Sequence, residues 1–559
     1  MMDSHNLHYR ADIVVVGAGA AGCVAASRLS ENRNLRVLLV EAGRDLPPGQ
    51  ETASIRDVYS FTAAFDRRNH WPDLKAWTWR PQPGHAPRNY EQARIMGGGT
   101  SINGQQASIG IPADYDDWAA SGASGWAWSD VSPWFEKLAG KDGVFPVSTV
   151  AEELWPPFAR SFARVAENAG NRRLSDPNAE SIDGWFSMPT MSDGQTRTSA
   201  AKAYLPDAVR SRPNLEIVTD ATVETVEFDG RSATGVRIVV PGGRSAIAAE
   251  RVVLAAGAIG TPLLLQRSGV GPEDWLEAAG IRIRHRVDGV GRNLQEHPSF
   301  ALSGLLAPGM ARGMTPRRHI VAAMRFSSTV SQVGPSDLYI VAVNRAAWHA
   351  VGWRIASLFG WVNKPLSRGW VRPSGPRGES APEVVLNMLD HPDDLARLGE
   401  VARRMYAFMS AMKADGTLTD IGLPVAGAAF RAFTAEGVMR ALAMHAAAQA
   451  MDRSKLARRA VLKSFEPVGS LFEAGADEAL RTILHDRVAP GWHPVGTCRM
   501  GPADDPAAVV DPVAGAVHGI DGLHVVDASV MPSIPRANTA LPTLMIAEKL
   551  SDAIGRAAG

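Results

Sequence analysis

Residues 11–22 read A-D-I-V-V-V-G-A-G-A-A-G, and residues 37–43 read V-L-L-V-E-A-G. Ile13, Val14, Val15 and Val16 make a short apolar, mostly β-branched run, the pattern of a parallel strand buried on both faces. Gly17, Gly19 and Gly22 then fit G-x-G-x-x-G. In that pattern the first glycine permits a tight turn, the second lets backbone approach a pyrophosphate, and the third lets a helix pack closely on the strand. The spacing predicts a helix over about residues 21–30, its N-terminal N–H groups near Ala20 and Ala21 aimed at phosphates. A second strand is predicted over residues 36–40. It ends at Glu41, 19 residues after Gly22, where a carboxylate can hold ribose hydroxyls. FAD and NAD share this fingerprint, so by itself it specifies a dinucleotide and not which one.

Outward from the cradle lie two more glycine-rich stretches. Residues 94–103, R-I-M-G-G-G-T-S-I-N, present bare backbone suited to a flat ring or a diphosphate. Residues 491–501, G-W-H-P-V-G-T-C-R-M-G, set one histidine, His493, in a rigid Gly/Pro-rich loop. Strands are expected at residues 215–218, 221–228, 233–240 and 251–257, the last followed by a helix with Pro262 in its first turn. Residues 300–488 change texture, with strand-like runs at 319–327, 338–343, 357–362 and 383–389 and helical runs at 392–413 and 437–464. The first texture resumes with a strand at 523–527 and a helix at 542–554.

A chain of 559 residues exceeds one compact core. The expected division is a cofactor domain built from residues 1–140, 191–300 and 489–559, a substrate or lid segment at 141–190, and a substrate domain at 301–488. Lys+Arg and Asp+Glu both number 58, which argues against a nucleic-acid binder relying on bulk positive charge. Two cysteines, Cys23 and Cys498, make no disulfide framework, and no secretory or membrane-spanning run is seen. The expectation is a soluble cytoplasmic protein with no metal. Residues 438–465 stand apart: Arg453, Lys455, Arg458, Arg459 and Lys463 face Asp452 alone. Such a segment could touch a membrane surface, though a solvated helix roofing the site or an oligomer contact is the blander reading.

Taken together, these stretches resemble the glucose–methanol–choline (GMC) oxidoreductase family over residues 12–554. The supporting motifs run in family order: the cradle; A-R-I-M-G-G-G-T-S-I-N-G from Ala93; G-A-I-G-T-P-L-L-L-Q-R-S-G-V-G from Gly257; G-R-N-L-Q-E-H-P from Gly291; W-H-P-V-G-T-C-R-M-G from Trp492; and V-V-D-A-S-V-M-P from Val525. Within the family the chain is most similar to the bacterial hydroxymethylfurfural-oxidase and aryl-alcohol oxidoreductase group. The resemblance implies an α/β fold, with a Rossmann-like FAD domain interleaved with an α+β substrate domain carrying a mainly antiparallel sheet. It implies FAD contacts at Gly17, Gly19, Gly22, Glu41, Gly97, Gly98, Gly99, Asn103, Val223, Asp527, Ala528 and Asn538. Carried over beside these are Ala20, Ala21, Ala42, Arg94, Thr100, Gly104, Ala256 and Thr539. Some members bond flavin covalently through a histidine in the glycine loop. Ile102 stands there, so non-covalent FAD is expected.

The implied reaction is oxidation of a primary, aromatic or furanic alcohol, with hydride transfer to flavin N5 and dioxygen or another electron acceptor closing the cycle. Loss of the hydroxyl proton calls for a base, and an imidazole with unperturbed pKa about 6.5 suits that task. His493 matches the family's catalytic histidine; His285, His297, His485 and His524 are further candidates in principle. Counting eight positions back from Glu548 places the family's second polar residue at Ala540, which cannot hydrogen-bond. That leaves three readings: a roomier natural pocket, an engineered substitution, or atypical chemistry such as a lyase or decarboxylase. Trp361, Val362, Asn363 and Trp492 are expected to line the substrate pocket.

Overall fold

The computed structural model describes residues 9–330, 333–378, 380–424, 433, 437–462 and 466–558. Two sheets organise it. Strands of the first run in the order Leu215–Val218, Val37–Val40, Tyr9–Val16, Gly243–Leu254, Ser232–Val240, Thr222–Asp229. The first four are parallel, and Leu523–Val525 lies parallel to the end of Gly243–Leu254, Val252 opposite Leu523. The last two turn back antiparallel. Ile13, Val14 and Val15 are fully buried, as a strand covered on both faces requires. Helices Ala20–Leu29 and Ala540–Ala558 pack together beside this sheet.

The second sheet is antiparallel throughout, in the order Glu466–Pro467, Leu418–Leu423, Pro298–Leu306, Ile355–Val362, Leu338–Val343, Ile320–Phe326, Gly184–Ser187. Helix Pro392–Ala414 covers it, burying Leu398, Val401, Met405 and Met409 in one cluster with Leu302, Ile340 and Leu358. The chain leaves through Ala489–Pro490, which pairs with Pro298 and Ser299, and crosses back to the first sheet.

Several elements differ from expectation for identifiable reasons. Strand Gly243–Leu254 starts well before residue 251. Its first half alternates exposed and buried against the hairpin, so no continuous apolar run announces it. Helix Gly257–Arg267 opens at Gly257, which places Pro262 in the second turn. The Ala258 carbonyl, deprived of its helical donor by Pro262, accepts the Thr497 hydroxyl at 2.7 Å instead. The strand expected over 383–389 stops at Val385, because Asn387 and Leu389 take left-handed φ of 51° and 62°. The helical run at 437–464 is two helices, Val438–Arg453 and Lys455–Leu462, split where Ser454 is extended. Its final residues, 463 and 464, lie outside the described residues. Cys23 and Cys498 are both buried free thiols. Among the described residues no helix is long and apolar enough to cross a membrane.

Candidate functional site

A cavity of about 1540 Å³ lies between the two sheets. One end is the glycine cradle, lined by Gly17, Gly19, Ala20, Ala21, Glu41, Ala42, Val223 and Ala256. Helix Ala20–Leu29 begins there with no side-chain cap at Gly19, so its first N–H groups are left for a ligand. Close backbone contacts require glycine. A Cβ on Gly22 would meet the Gly17 carbonyl oxygen at 1.7 Å, and one on Gly98 would meet the Gly19 Cα at 2.7 Å. The two glycine turns are thus packed back to back. Glu41 fixes the cradle, accepting the Ala18 and Gly43 N–H groups, each at 2.7 Å. Burial pushes its carboxyl above the usual range.

Gly98, Gly99, Thr100, Asn103, Gly104, Asp527, Ala528, Asn538, Thr539 and Ala540 line the cavity further along. Asp527 also ties two segments together, accepting the Gly257 N–H at 2.8 Å and the Thr261 hydroxyl at 2.5 Å. Three expected contact residues do not reach the cavity. Gly22 is spent against Gly17, Gly97 donates its N–H to the Ala18 carbonyl, and Arg94 holds the Ala42 carbonyl at 3.0 Å while lying over Trp71. They build the wall rather than face the ligand.

His493 lines the middle of the cavity on a loop that is pinned from behind. Gly491 N–H donates to the His297 carbonyl, and Val495 and Gln295 exchange backbone hydrogen bonds. The carboxylate of Glu296 accepts the His493 N–H at 2.8 and 3.0 Å, the His297 N–H at 2.8 Å and the Tyr90 hydroxyl. Burial raises the Glu296 carboxyl to about 7, against the pull of these donors. Trp492 adopts φ of 59°, a strained conformation for a bulky residue.

The hydrogen bonds define which nitrogen of each imidazole carries its proton. His297 Nε2 faces the Asn363 carbonyl at 3.0 Å, and a carbonyl only accepts, so Nε2 holds the proton. Burial and the neighbouring His493 keep His297 neutral, so its Nδ1 must accept. His493 Nδ1 stands 2.9 Å from it and therefore donates. That leaves His493 Nε2 unprotonated, its lone pair accepting the Asn538 side-chain N–H at 3.0 Å. Burial lowers the His493 pKa to about 4, so the unprotonated form is held throughout the neutral range.

Ala540, at the position of the family's usual partner, is the first residue of helix Ala540–Ala558 and lines the cavity, while the polar side chain in contact with His493 Nε2 is that of Asn538. The Asn538 carbonyl oxygen is buried with no partner among the described residues. Two pocket expectations are corrected as well. Strand residues alternate faces, so Trp361 lines the cavity while Val362 points the other way into the core. Asn363, just past the strand, is fully buried and serves as a support. Its carbonyl takes His297, and its side chain takes the Trp361 indole N–H at 3.0 Å. Trp492 lines the mouth, half-exposed. His285, His485 and His524 do not line the cavity.

Sequence reasoning gave no role to Tyr90 or Glu296, although Glu296 sits in the Q-E-H-P motif directly before a strand. Beyond His493 the cavity continues into the second sheet as an apolar arm lined by Phe61, Ile320, Val341, Ile355, Phe359 and Trp361. The uncapped helix start, the paired glycine turns and the buried Glu41 fit a dinucleotide such as FAD, and the arm leaves room for a substrate beside it.

The chain is similar to known proteins along nearly its whole length. Two family models, both described as GMC oxidoreductase, match residues 11–299 and 365–547. The chain is 36% identical to a 5-(hydroxymethyl)furfural oxidase of Methylovorus sp., over 97% of this chain and 98% of that protein. It is 31% identical to an oxygen-dependent choline dehydrogenase of Burkholderia pseudomallei, over 97% and 93%. Among solved structures, pyridoxine 4-oxidase from Mesorbium loti superposes with a TM-score of 0.76 at 27% identity, over 97% of this chain and 98% of that one.

Proposed function

The chain belongs to the GMC oxidoreductase family and is an FAD-dependent oxidoreductase; from that premise we propose that it oxidises a primary, aromatic or furanic alcohol to the aldehyde with His493 as base. The observation that carries the proposal is the unprotonated Nε2 of His493, aimed into the cavity by a hydrogen-bond chain that begins at the Asn363 carbonyl. Nε2 takes the hydroxyl proton as the alcohol binds, and Asn538 turns its amide from the imidazole to the substrate oxygen. The donated Nδ1–H bond to His297 steadies the imidazolium that forms. Trp361, stacked on Tyr339 at 4.5 Å, gives a flat apolar wall suited to an aromatic ring. Bound FAD would supply the acceptor for the hydride leaving the carbon that bears the hydroxyl. By position Gly17, Gly19, Ala20, Ala21, Glu41 and Gly98 would hold it, without a covalent bond.

The ground for a lyase or decarboxylase is the missing polar group at Ala540; the contact of Asn538 with the imidazole favours alcohol oxidation over that reading.

Anaerobic mixing of the holoenzyme with a panel of benzylic, furanic and aliphatic alcohols tests the proposal, followed by admission of air. Bleaching of the flavin band by the aromatic and furanic members is expected. His493→Ala should retain FAD and slow bleaching by roughly 10²–10⁴-fold. An unaltered rate in that variant would overturn the assignment. The rate of colour recovery in air distinguishes dioxygen from another acceptor.

A further inference from the structure

Helix Val438–Arg453 closes the outer end of the apolar arm, where Ala443 and Met444 line the cavity. It is anchored from beneath by Ala448 and Met451, which pack with Leu305, Val351 and Ile355. Its outer face is apolar too. Met439, Leu442, Ala443, Ala446 and Ala450 are all exposed, at helical spacing that places them in one stripe. Met439 is 79% exposed and Leu442 62%, and on the next helix Leu456 is 79% exposed. A helix apolar on both faces has something to cover its second face.

Among the described residues of these two helices, the fully exposed charge beside the stripe is basic. Arg453 and Lys455 are exposed and form no salt bridge among the described residues. Asp452 is the one acid in residues 438–462, and Arg354 holds it from the protein side at 3.0 Å. Arg458, counted earlier with the basic cluster, turns inward to the Met451 and Leu306 carbonyls. The Arg459 side chain and Lys463 lie outside the described residues. A twofold contact between copies would set these basic rims against each other. An anionic surface would complement them.

We propose that the outer face of helices Val438–Arg453 and Lys455–Leu462 docks on the anionic surface of a lipid bilayer, turning this end of the cavity toward the membrane. Met439, Leu442 and Leu456 enter the headgroup boundary while Arg453 and Lys455 meet the lipid phosphates. The contact is peripheral, and an apolar alcohol dissolved in the bilayer would reach the arm past Ala443 and Met444.

Flotation of the FAD-loaded protein with vesicles tests this independently of the alcohol reading, because the readout is binding. Vesicles of phosphatidylcholine mixed with phosphatidylglycerol should carry the protein at low salt, releasing it at high salt, and pure phosphatidylcholine vesicles should not. The double substitution Met439→Asp with Leu442→Asp should weaken binding by about tenfold or more, with FAD content and turnover of a water-soluble alcohol unchanged. Retention of those two properties shows that the variant is folded. The proposal is overturned if the protein floats with neither vesicle, floats equally with both, or floats undiminished in the variant. It is also overturned if light scattering finds a dimer that the variant dissociates, since the stripe would then be a self-contact.

Discussion

Asn538 and Ala540 stand two positions apart, yet only one of them reaches the imidazole. Replacing Asn538 with Ala removes the amide at His493 Nε2. A lost hydrogen bond of about 0.5–1.5 kcal/mol corresponds to roughly 2- to 12-fold in rate. Flavin reduction by a good alcohol should slow by that factor, whereas Ala540→Asn should leave it within about twofold. A large gain in Ala540→Asn would restore the original reading of that position. Motif counting places the family's usual partner at Ala540, whereas the contact to the imidazole comes from Asn538, just ahead of helix Ala540–Ala558 and turned toward the histidine loop. Likewise Trp361 was legible as a pocket residue, but the alternation that sends Val362 into the core was not applied to it. His493 itself stood out because it is set in a loop of glycine and proline. Its protonation state did not, because that depends on His297, nearly two hundred residues earlier in the chain.

At the scale of elements, helices remote in the chain are joined by one buried carboxylate. Glu548, on helix Ala540–Ala558, accepts from Arg28 on helix Ala20–Leu29 at 2.8 Å, from Lys137 at 2.7 Å and from the Tyr204 hydroxyl at 2.5 Å. Removing one partner of such a cluster strands the others, commonly at 3–5 kcal/mol; with Arg28 and Lys137 partly in water, about 2–3 kcal/mol is expected for Glu548→Ala. Chemical denaturation would register it as a lower midpoint at unchanged slope. These donors hold the Glu548 pKa below its usual 4.5. The stabilisation is therefore complete above that value and fades as pH falls through the depressed one. Wild type should lose its advantage over Glu548→Gln in acid, and a constant gap down to pH 3 would count against the ion cluster. Elements with a strong period were readable from sequence, such as helix Pro392–Ala414 and the strand through Val16. Those shaped by partners were not. Gly243–Leu254 is half solvent-facing, and the start of Gly257–Arg267 depends on a hydroxyl from Thr497.

For the molecule as a whole, the cofactor site is assembled from five remote stretches of chain, residues 16–42, 98–104, 221–223, 255–258 and 527–540. The return of the chain to its first sheet was visible as a recurrence of texture near residue 520; the pairing of Gly184–Ser187 with the second sheet was not, since four residues carry too little pattern. A ligand spanning these stretches stabilises the fold by linkage. FAD at 100 times its dissociation constant should add about 2.7 kcal/mol. Protein stripped of FAD should melt at lower temperature and recover on reloading, and a melting point indifferent to FAD would argue that the cavity is not its seat. The late arrival of strand Leu523–Val525 also bears on biosynthesis. At translation speeds of about 5–20 residues per second, roughly half a minute to a minute and a half separates emergence of the glycine cradle from emergence of the strand that completes it. Throughout that interval the nascent chain carries a sticky, unfinished edge, so ribosome-associated chaperones have a definite window in which to shield it.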